Sequence, residues 1–156
     1  MAALTWISPN PFDVRTVVLA KHAQHVVLVH FPIALFITAV VFDLIAYWSK
    51  RRGFADAAYY NLLVAALAAI PTLFTGIIAW QLQLDGQRLQ GILLLHFLLG
   101  ILSGALICFV WWLHFRARKQ MDEPPAYRLL FEITGVLLVM ATAHLGGFLS
   151  GVNIPG

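Results

Sequence analysis

The sequence predicts an all-α integral membrane protein, an up-down-up-down four-helix bundle. Apolar residues make up 61% of the 156 residues and charged residues only 11%, too few to cover a surface that faces water. Four runs of about 20 apolar residues are each long enough to cross the hydrocarbon layer of a membrane. The connections between the runs are short, so consecutive helices are expected to be antiparallel neighbours.

The predicted spans form one transmembrane domain, 26–149, and their bounds are 26–48, 57–80, 91–114 and 129–149. The preceding segment, 1–25, is predicted to lie on the outer face. Its residues 12–24 mix apolar and charged side chains, which suits a short helix at the membrane surface or an extension of the first span into water. Residues 150–156 are predicted to be an outer-face tail.

The distribution of basic residues predicts the orientation in the membrane. Seven of the ten lysines and arginines lie in or beside the first and third connections. Basic residues that flank spans remain in the cytoplasm, so both termini and the connection 81–90 are expected to face outward. Residues 1–10 lack a charged segment followed by an apolar core, and the first span is therefore expected to insert the chain.

Three histidines from three spans are predicted to lie at one depth. Counted from the cytoplasmic ends of their spans, His30, His96 and His144 lie 18, 17 and 16 residues deep. At about 1.5 Å per residue these depths agree within about 3 Å. Ionisable residues inside a membrane are rare and usually functional. The three are therefore expected to form a layer beneath the outer surface, with His22 and His25 at or above that surface.

Small residues accompany these histidines at helical spacing. His96 shares a face with Gly100, Ser103 and Gly104, and a small-residue stripe on the second span ends at Gly76. Such residues usually allow close packing of membrane helices. They also leave room for a flat macrocycle, and their coincidence with the histidines favours this second interpretation.

The leading hypothesis is one non-covalent haem b held by two imidazoles, because bundle cores commonly hold cofactors between facing helices. His30 and His96, on diagonal spans, are the first choice of axial ligands, and His30 with His144 is the competing pair. In the first case His144 would hold a propionate, a water or a quinone carbonyl. His25 is one candidate for neutralising the propionates. The single cysteine, Cys108, excludes a covalent Cys-x-x-Cys-His haem site.

Two other roles remain open for the layer of His30, His96 and His144. The three imidazoles could bind zinc or copper, although no carboxylate or thiolate lies at their depth. They could also simply hydrogen-bond between helices.

Three further polar residues lie near the cytoplasmic ends of the spans. Asp43 and Glu132 could begin a proton path, but acids so close to the border more often pair with an arginine such as Arg51 or Arg128. His114 lies beside Arg116 in the sequence and is predicted to be an interfacial anchor.

Several segments resemble a known family. Residues 29–35 (VHFPIAL) and 143–149 (AHLGGFL) carry the resemblance, with weaker matches at Thr75-Gly76 and Leu95-His96. The family is catalogued as domain of unknown function 2231 (DUF2231) and consists of bacterial four-span membrane proteins. The resemblance covers roughly 24–152.

The resemblance implies a protein of the bacterial inner membrane. Some members are fused to c-type cytochrome domains, which implies redox work near the outer face with such a partner. His30 and His96 match family positions best, while His144 matches only a subset. Many members have a Tyr-Arg-His-Gly-like segment after the double glycine. Residues 150–153 here are Ser-Gly-Val-Asn, so no ligand role carries over to them.

The chain is therefore expected to be a membrane b-type cytochrome or a haem-bearing subunit of a respiratory complex, without catalytic chemistry of its own. It would move electrons between the quinone pool and an outer-face partner, in contact with the lipid bilayer and in a homo- or hetero-oligomer. A non-haem anchor subunit that binds quinone or lipid is the alternative. A proton or ion transporter is a third class, disfavoured because no inverted repeat is evident.

Overall fold

The computed structural model describes residues 23–83, 86, 88–120 and 124–150, and most of them are helical. The helices in chain order are α1 (Ala23–Ser49), α2 (Arg52–Gln83), α3 (Gly91–Lys119) and α4 (Arg128–Leu149). All four are long and apolar enough to cross a membrane. The prediction of an all-α four-helix bundle is confirmed. The predicted surface helix at 12–24 falls almost entirely outside the described residues, as does the tail beyond Ser150.

Charged residues extend two helices beyond their apolar runs. The first connection contains only Lys50 and Arg51, and Lys50 ends α1 with a left-handed φ of 56°. Helix α2 begins at Arg52, earlier than the predicted residue 57. Helix α3 continues to Lys119, beyond the predicted end at residue 114. We call the end of the bundle with the connections 50–51 and 120–127 the basic end, and the other the histidine end.

The bundle consists of two hairpins, α1–α2 and α3–α4. Helix α1 packs most extensively on α2, and α3 packs on α4 and on α2. Helices α1 and α4 make far fewer contacts, and α1 and α3 lie diagonally. The core between the helices is centred on Phe36, Leu62 and Val110, which are fully buried.

The outer surface of the bundle is apolar. In the apolar 18-residue stretch of each helix, only 17% to 28% of the residues are buried. Large side chains are more than half exposed, for example Phe31, Leu67, Ile70, Leu130 and Leu137. A protein surrounded by water rarely exposes apolar patches of this extent. The exposed side chains are instead suited to contact lipid chains.

Gly135 of α4 allows a close contact with α1. A Cβ at this position would lie 2.7 Å from Phe36 Cζ, and Phe36 is fully buried and cannot move aside easily. We expect Gly135→Ala to lower the free energy of unfolding by about 1–3 kcal/mol through overpacking. Reversible unfolding in mixed detergent micelles measures the change. Gly53→Ala is the matched control, because a Cβ there meets no described atom within 4 Å. Equal stabilities of the two variants would contradict the contact.

Candidate functional site

Two imidazoles from diagonal helices point into the bundle at the histidine end. His25 of α1 and His96 of α3 are both partly buried. Each contacts the second helix of its own hairpin, His25 through Thr75 of α2 and His96 through Thr142 of α4. We call His25 and His96 the histidine pair.

The hydrogen-bond network fixes the tautomer of His96. Its Nδ1 lies 3.0 Å from the carbonyl oxygen of Thr142 on α4. A carbonyl oxygen can only accept, so Nδ1 carries the proton and donates it. The Nε2 atom of His96 is therefore left with a lone pair.

His25 adopts the same tautomer through a hydroxyl group on α2. Its Nδ1 lies 3.3 Å from Thr75 Oγ1. The Thr75 hydroxyl already donates to Thr72 O over 3.0 Å, so its oxygen is left to accept from the imidazole. In the neutral form of His25 the Nε2 atom consequently also carries a lone pair, as it does in neutral His96.

Each imidazole of the histidine pair lies against a glycine of the neighbouring helix. A Cβ at Gly76 would lie 3.1 Å from His25 Cε1, and a Cβ at Gly146 would lie 3.1 Å from His96 Cε1. Both distances are tighter than ordinary van der Waals contact. Any larger residue at either glycine would therefore displace the imidazole ring.

The two hairpins repeat this arrangement. Thr72 and Thr142 each lie four residues before the glycine that contacts an imidazole. Their hydroxyls donate to the carbonyl oxygens of Ala68 and Leu138, four residues earlier on the same helix. Each hairpin thus carries one histidine on its first helix and a Thr-x-x-x-Gly segment on its second. A pattern of two fixed residues is too weak to stand out in the sequence as an internal repeat.

His30 and His144 lie on the outside of the bundle. Both are exposed. His30 Nδ1 donates to Val26 O of its own helix over 2.6 Å, and His144 makes an edge contact with the Phe148 ring. The prediction that His30 is the buried histidine is wrong for the interior of the bundle, because His30 is exposed and His25 takes the inward position. The predicted location of His25 at or above the membrane surface stays a prediction. A ligand role for His30 or His144 stays a prediction.

The predicted small residues lie at contacts between helices. Buried Ser103 shares a hydrogen bond of 3.2 Å with the Thr142 hydroxyl. A Cβ at Gly104 would lie 2.8 Å from Leu73 Cδ1, whereas a Cβ at Gly100 would make an ordinary contact of 3.9 Å with Thr142. Side chains of neighbouring helices therefore occupy the space beside Ser103 and Gly104.

A second polar cluster is buried at the basic end. Arg128 Nε donates to Asp43 Oδ2 over 2.8 Å and lies 3.8 Å from Glu132 Oε1. His114 Nε2 lies 3.0 Å from the same Glu132 oxygen. All four residues are buried, and none is more than 5% exposed as a whole residue. We call these residues the carboxylate cluster. The prediction that the acids pair with an arginine such as Arg51 or Arg128 is confirmed for Asp43, whose partner is Arg128.

The carboxylate cluster contains one unmet hydrogen-bonding atom. Glu132 Oε2 is buried and has no partner among the described residues. An unsatisfied buried polar atom costs about 1–3 kcal/mol, and more when it is charged. The prediction of His114 as an interfacial anchor is wrong, because α3 continues past it to Lys119 and carries His114 inside the bundle.

Comparison with known proteins identifies the family. The family model for predicted membrane proteins named DUF2231 matches residues 21–152. The chain belongs to the DUF2231 family. No curated protein and no solved structure matches this DUF2231 protein. The matched region contains all four helices, and therefore both the histidine pair and the carboxylate cluster.

Proposed function

We propose that this DUF2231 protein is a membrane electron-transfer subunit that holds one non-covalent haem b between His25 and His96. The observation that carries the proposal is the histidine pair, whose Nδ1 atoms donate hydrogen bonds while the Nε2 lone pairs stay available. Metal-bound imidazoles use one nitrogen as ligand and donate a hydrogen bond from the other. A haem held by His25 and His96 would suit electron transfer rather than oxygen chemistry, because both protein ligands would be imidazoles.

The chain supplies binding and orientation, and a bound haem supplies the one-electron redox chemistry. Thr75 and Thr142 hold the two imidazoles in the tautomer that leaves Nε2 free to bind a metal. Gly76 and Gly146 allow the rings to lie close to α2 and α4. Ligands whose orientation is fixed beforehand lose less freedom on binding. His30 is the second choice of ligand, because its own-helix hydrogen bond also leaves Nε2 free.

The histidine pair would lie near the outer face of a bacterial inner membrane. The basic end would face the cytoplasm, since Lys50, Arg51, Arg116, Arg118 and Lys119 all lie there. The chain termini and the haem would then lie on the periplasmic side. Electrons would pass between the quinone pool and an outer-face partner such as a c-type cytochrome, and that partner would perform any catalytic reaction.

An absorption spectrum of the intact protein tests the proposal. We expect protein purified in mild detergent, after expression with sufficient haem, to show the Soret and α bands of a bis-imidazole haem b in the dithionite-reduced state. A haem assay is expected to give about one haem per chain, because one histidine pair offers two axial ligands. Protein without either band would show that the chain is not a cytochrome.

A non-haem anchor subunit is the alternative, and the histidine pair also suggests how it would bind a ligand. Both Nε2 atoms are acceptors, so they would receive a hydroxyl of a quinol rather than a carbonyl oxygen of a quinone. This alternative predicts colourless protein that retains quinol through detergent purification. A transporter would instead use Asp43 and Glu132, and ion flux in liposomes that is unchanged by Asp43→Asn would count against it.

A further inference from the structure

We propose that the carboxylate cluster is a proton-binding site, in which Glu132 is a neutral carboxylic acid that donates its proton to His114 Nε2. The cluster joins Asp43 of α1, His114 of α3 and both Arg128 and Glu132 of α4. It lies at the opposite end of the bundle from the histidine pair. The inference therefore holds whether or not His25 and His96 bind haem.

The hydrogen bonding of the Glu132 carboxyl group favours its neutral form. Glu132 is 1% exposed, and its Oε2 has no partner among the described residues. An ionised carboxylate needs hydrogen-bond donors at both oxygens when it is buried. When Glu132 is a neutral acid, no charge is buried at its carboxyl group. Its Oε1 hydroxyl then donates a hydrogen bond to His114 Nε2 across the observed 3.0 Å.

The net charge of the cluster also favours one bound proton. With Asp43 and Glu132 ionised, Arg128 protonated and His114 neutral, the buried group would have a net charge of −1. One added proton makes it neutral, and burial favours the neutral form. Described charges of α2, Arg52 and Asp56, are exposed and do not belong to the cluster.

A divalent metal ion fits the cluster less well than a proton. Asp43, His114 and Glu132 each offer one ligand atom, and these atoms lie within 4.8 Å of one another. Arg128 already binds Asp43 Oδ2 and approaches Glu132, where it takes the place of a cation. A divalent ion would leave a buried net charge of +1 beside this arginine. A proton is therefore the ligand that the four side chains favour.

Arg128 joins the cluster to the connection at the basic end. Its Nη1 donates to Pro124 O and Pro125 O in the connection between α3 and α4. The guanidinium group thus extends from this connection to the carboxylates.

Infrared spectroscopy of isotope-labelled protein tests the protonation of Glu132 directly. The chain contains only two glutamates, Glu123 and Glu132. In protein labelled with ¹³C at the glutamate carboxyl carbon and held in lipid nanodiscs at neutral pH, we expect the C=O band of a protonated carboxylic acid. It should persist in Glu123→Gln and vanish in Glu132→Gln. Labelled wild-type protein that shows only carboxylate bands would overturn the proposal.

Two further measurements separate a proton site from a metal site. Asp43→Asn removes one negative charge, so the cluster is neutral without the proton, and we expect the acid band to weaken at the same pH. The matched control Asp56→Asn, which alters an exposed ion pair with Arg118, should leave the band unchanged. Elemental analysis of wild-type protein should find no bound divalent metal. A stoichiometric metal that is lost in Asp43→Asn would overturn the proposal.

Discussion

Replacing Arg128 with methionine is expected to lower the free energy of unfolding by about 3–5 kcal/mol. Methionine keeps the length and helix propensity of the side chain but removes its charge. Asp43 then keeps a carboxylate inside the bundle without the 2.8 Å hydrogen bond from Arg128 Nε. The cost is large because both side chains of the pair are buried, with exposures of 3% and 7%. Equilibrium unfolding in mixed micelles measures it.

A second ion pair at the same end provides the control. Arg118 Nη1 contacts Asp56 Oδ1 over 2.7 Å, but these side chains are 46% and 54% exposed. Arg118→Met is therefore expected to cost only about 0–1 kcal/mol. The double variant Asp43→Asn/Arg128→Met should recover part of the loss, because no charged partner of the pair stays buried. Equal losses in Arg128→Met and Arg118→Met would contradict the buried pair.

Replacing either member of the histidine pair with alanine is expected to remove the haem. His25→Ala and His96→Ala would each delete one of the two proposed haem ligands, and we expect haem occupancy below about a tenth of the wild-type value. The Soret absorbance per chain measures the occupancy. Added imidazole should restore part of the band in His96→Ala if the variant keeps its fold, which separates a lost ligand from a collapsed bundle.

The exposed histidines are the matched controls for this experiment. His30→Ala and His144→Ala remove imidazoles from the same end of the bundle, but both side chains lie on its outside. We expect these variants to keep the wild-type spectrum. Loss of haem in His30→Ala together with retention in His25→Ala would show that the sequence-based choice of His30 with His96 is the correct ligand pair.

The sequence predicts where a residue lies along a helix, but not its direction around the helix axis. Depth follows from counting along an apolar run, because the helical rise is constant. Predicting which side of a helix faces inward requires a contrast between a polar and an apolar face, and these helices are apolar on nearly all sides. His25 and His30 are five residues apart, which turns the second about 140° away from the first. The apolar pattern held no information to decide which of them faces inward.

The carboxylate cluster was predictable in part. An acid inside a span requires a partner, and this requirement indicates an arginine such as Arg51 or Arg128 for Asp43 and Glu132 without deciding between them. The sequence does not predict the contact between His114 and Glu132, because the apolar run of the third span ends at residue 114. Helix α3 continues for five further residues to Lys119, so His114 lies within the bundle and not at its border.

Each hairpin orients its imidazole with residues of its own two helices. During synthesis α1 and α2 leave the ribosome first, and Thr75 and Gly76 can fix His25 before α3 has entered the membrane. The second hairpin can do the same for His96 with Thr142 and Gly146. A ligand shared by both imidazoles would then be captured only after the hairpins dock. Such a ligand would be the final component added during biogenesis, and it would join two halves that were each complete before it arrived.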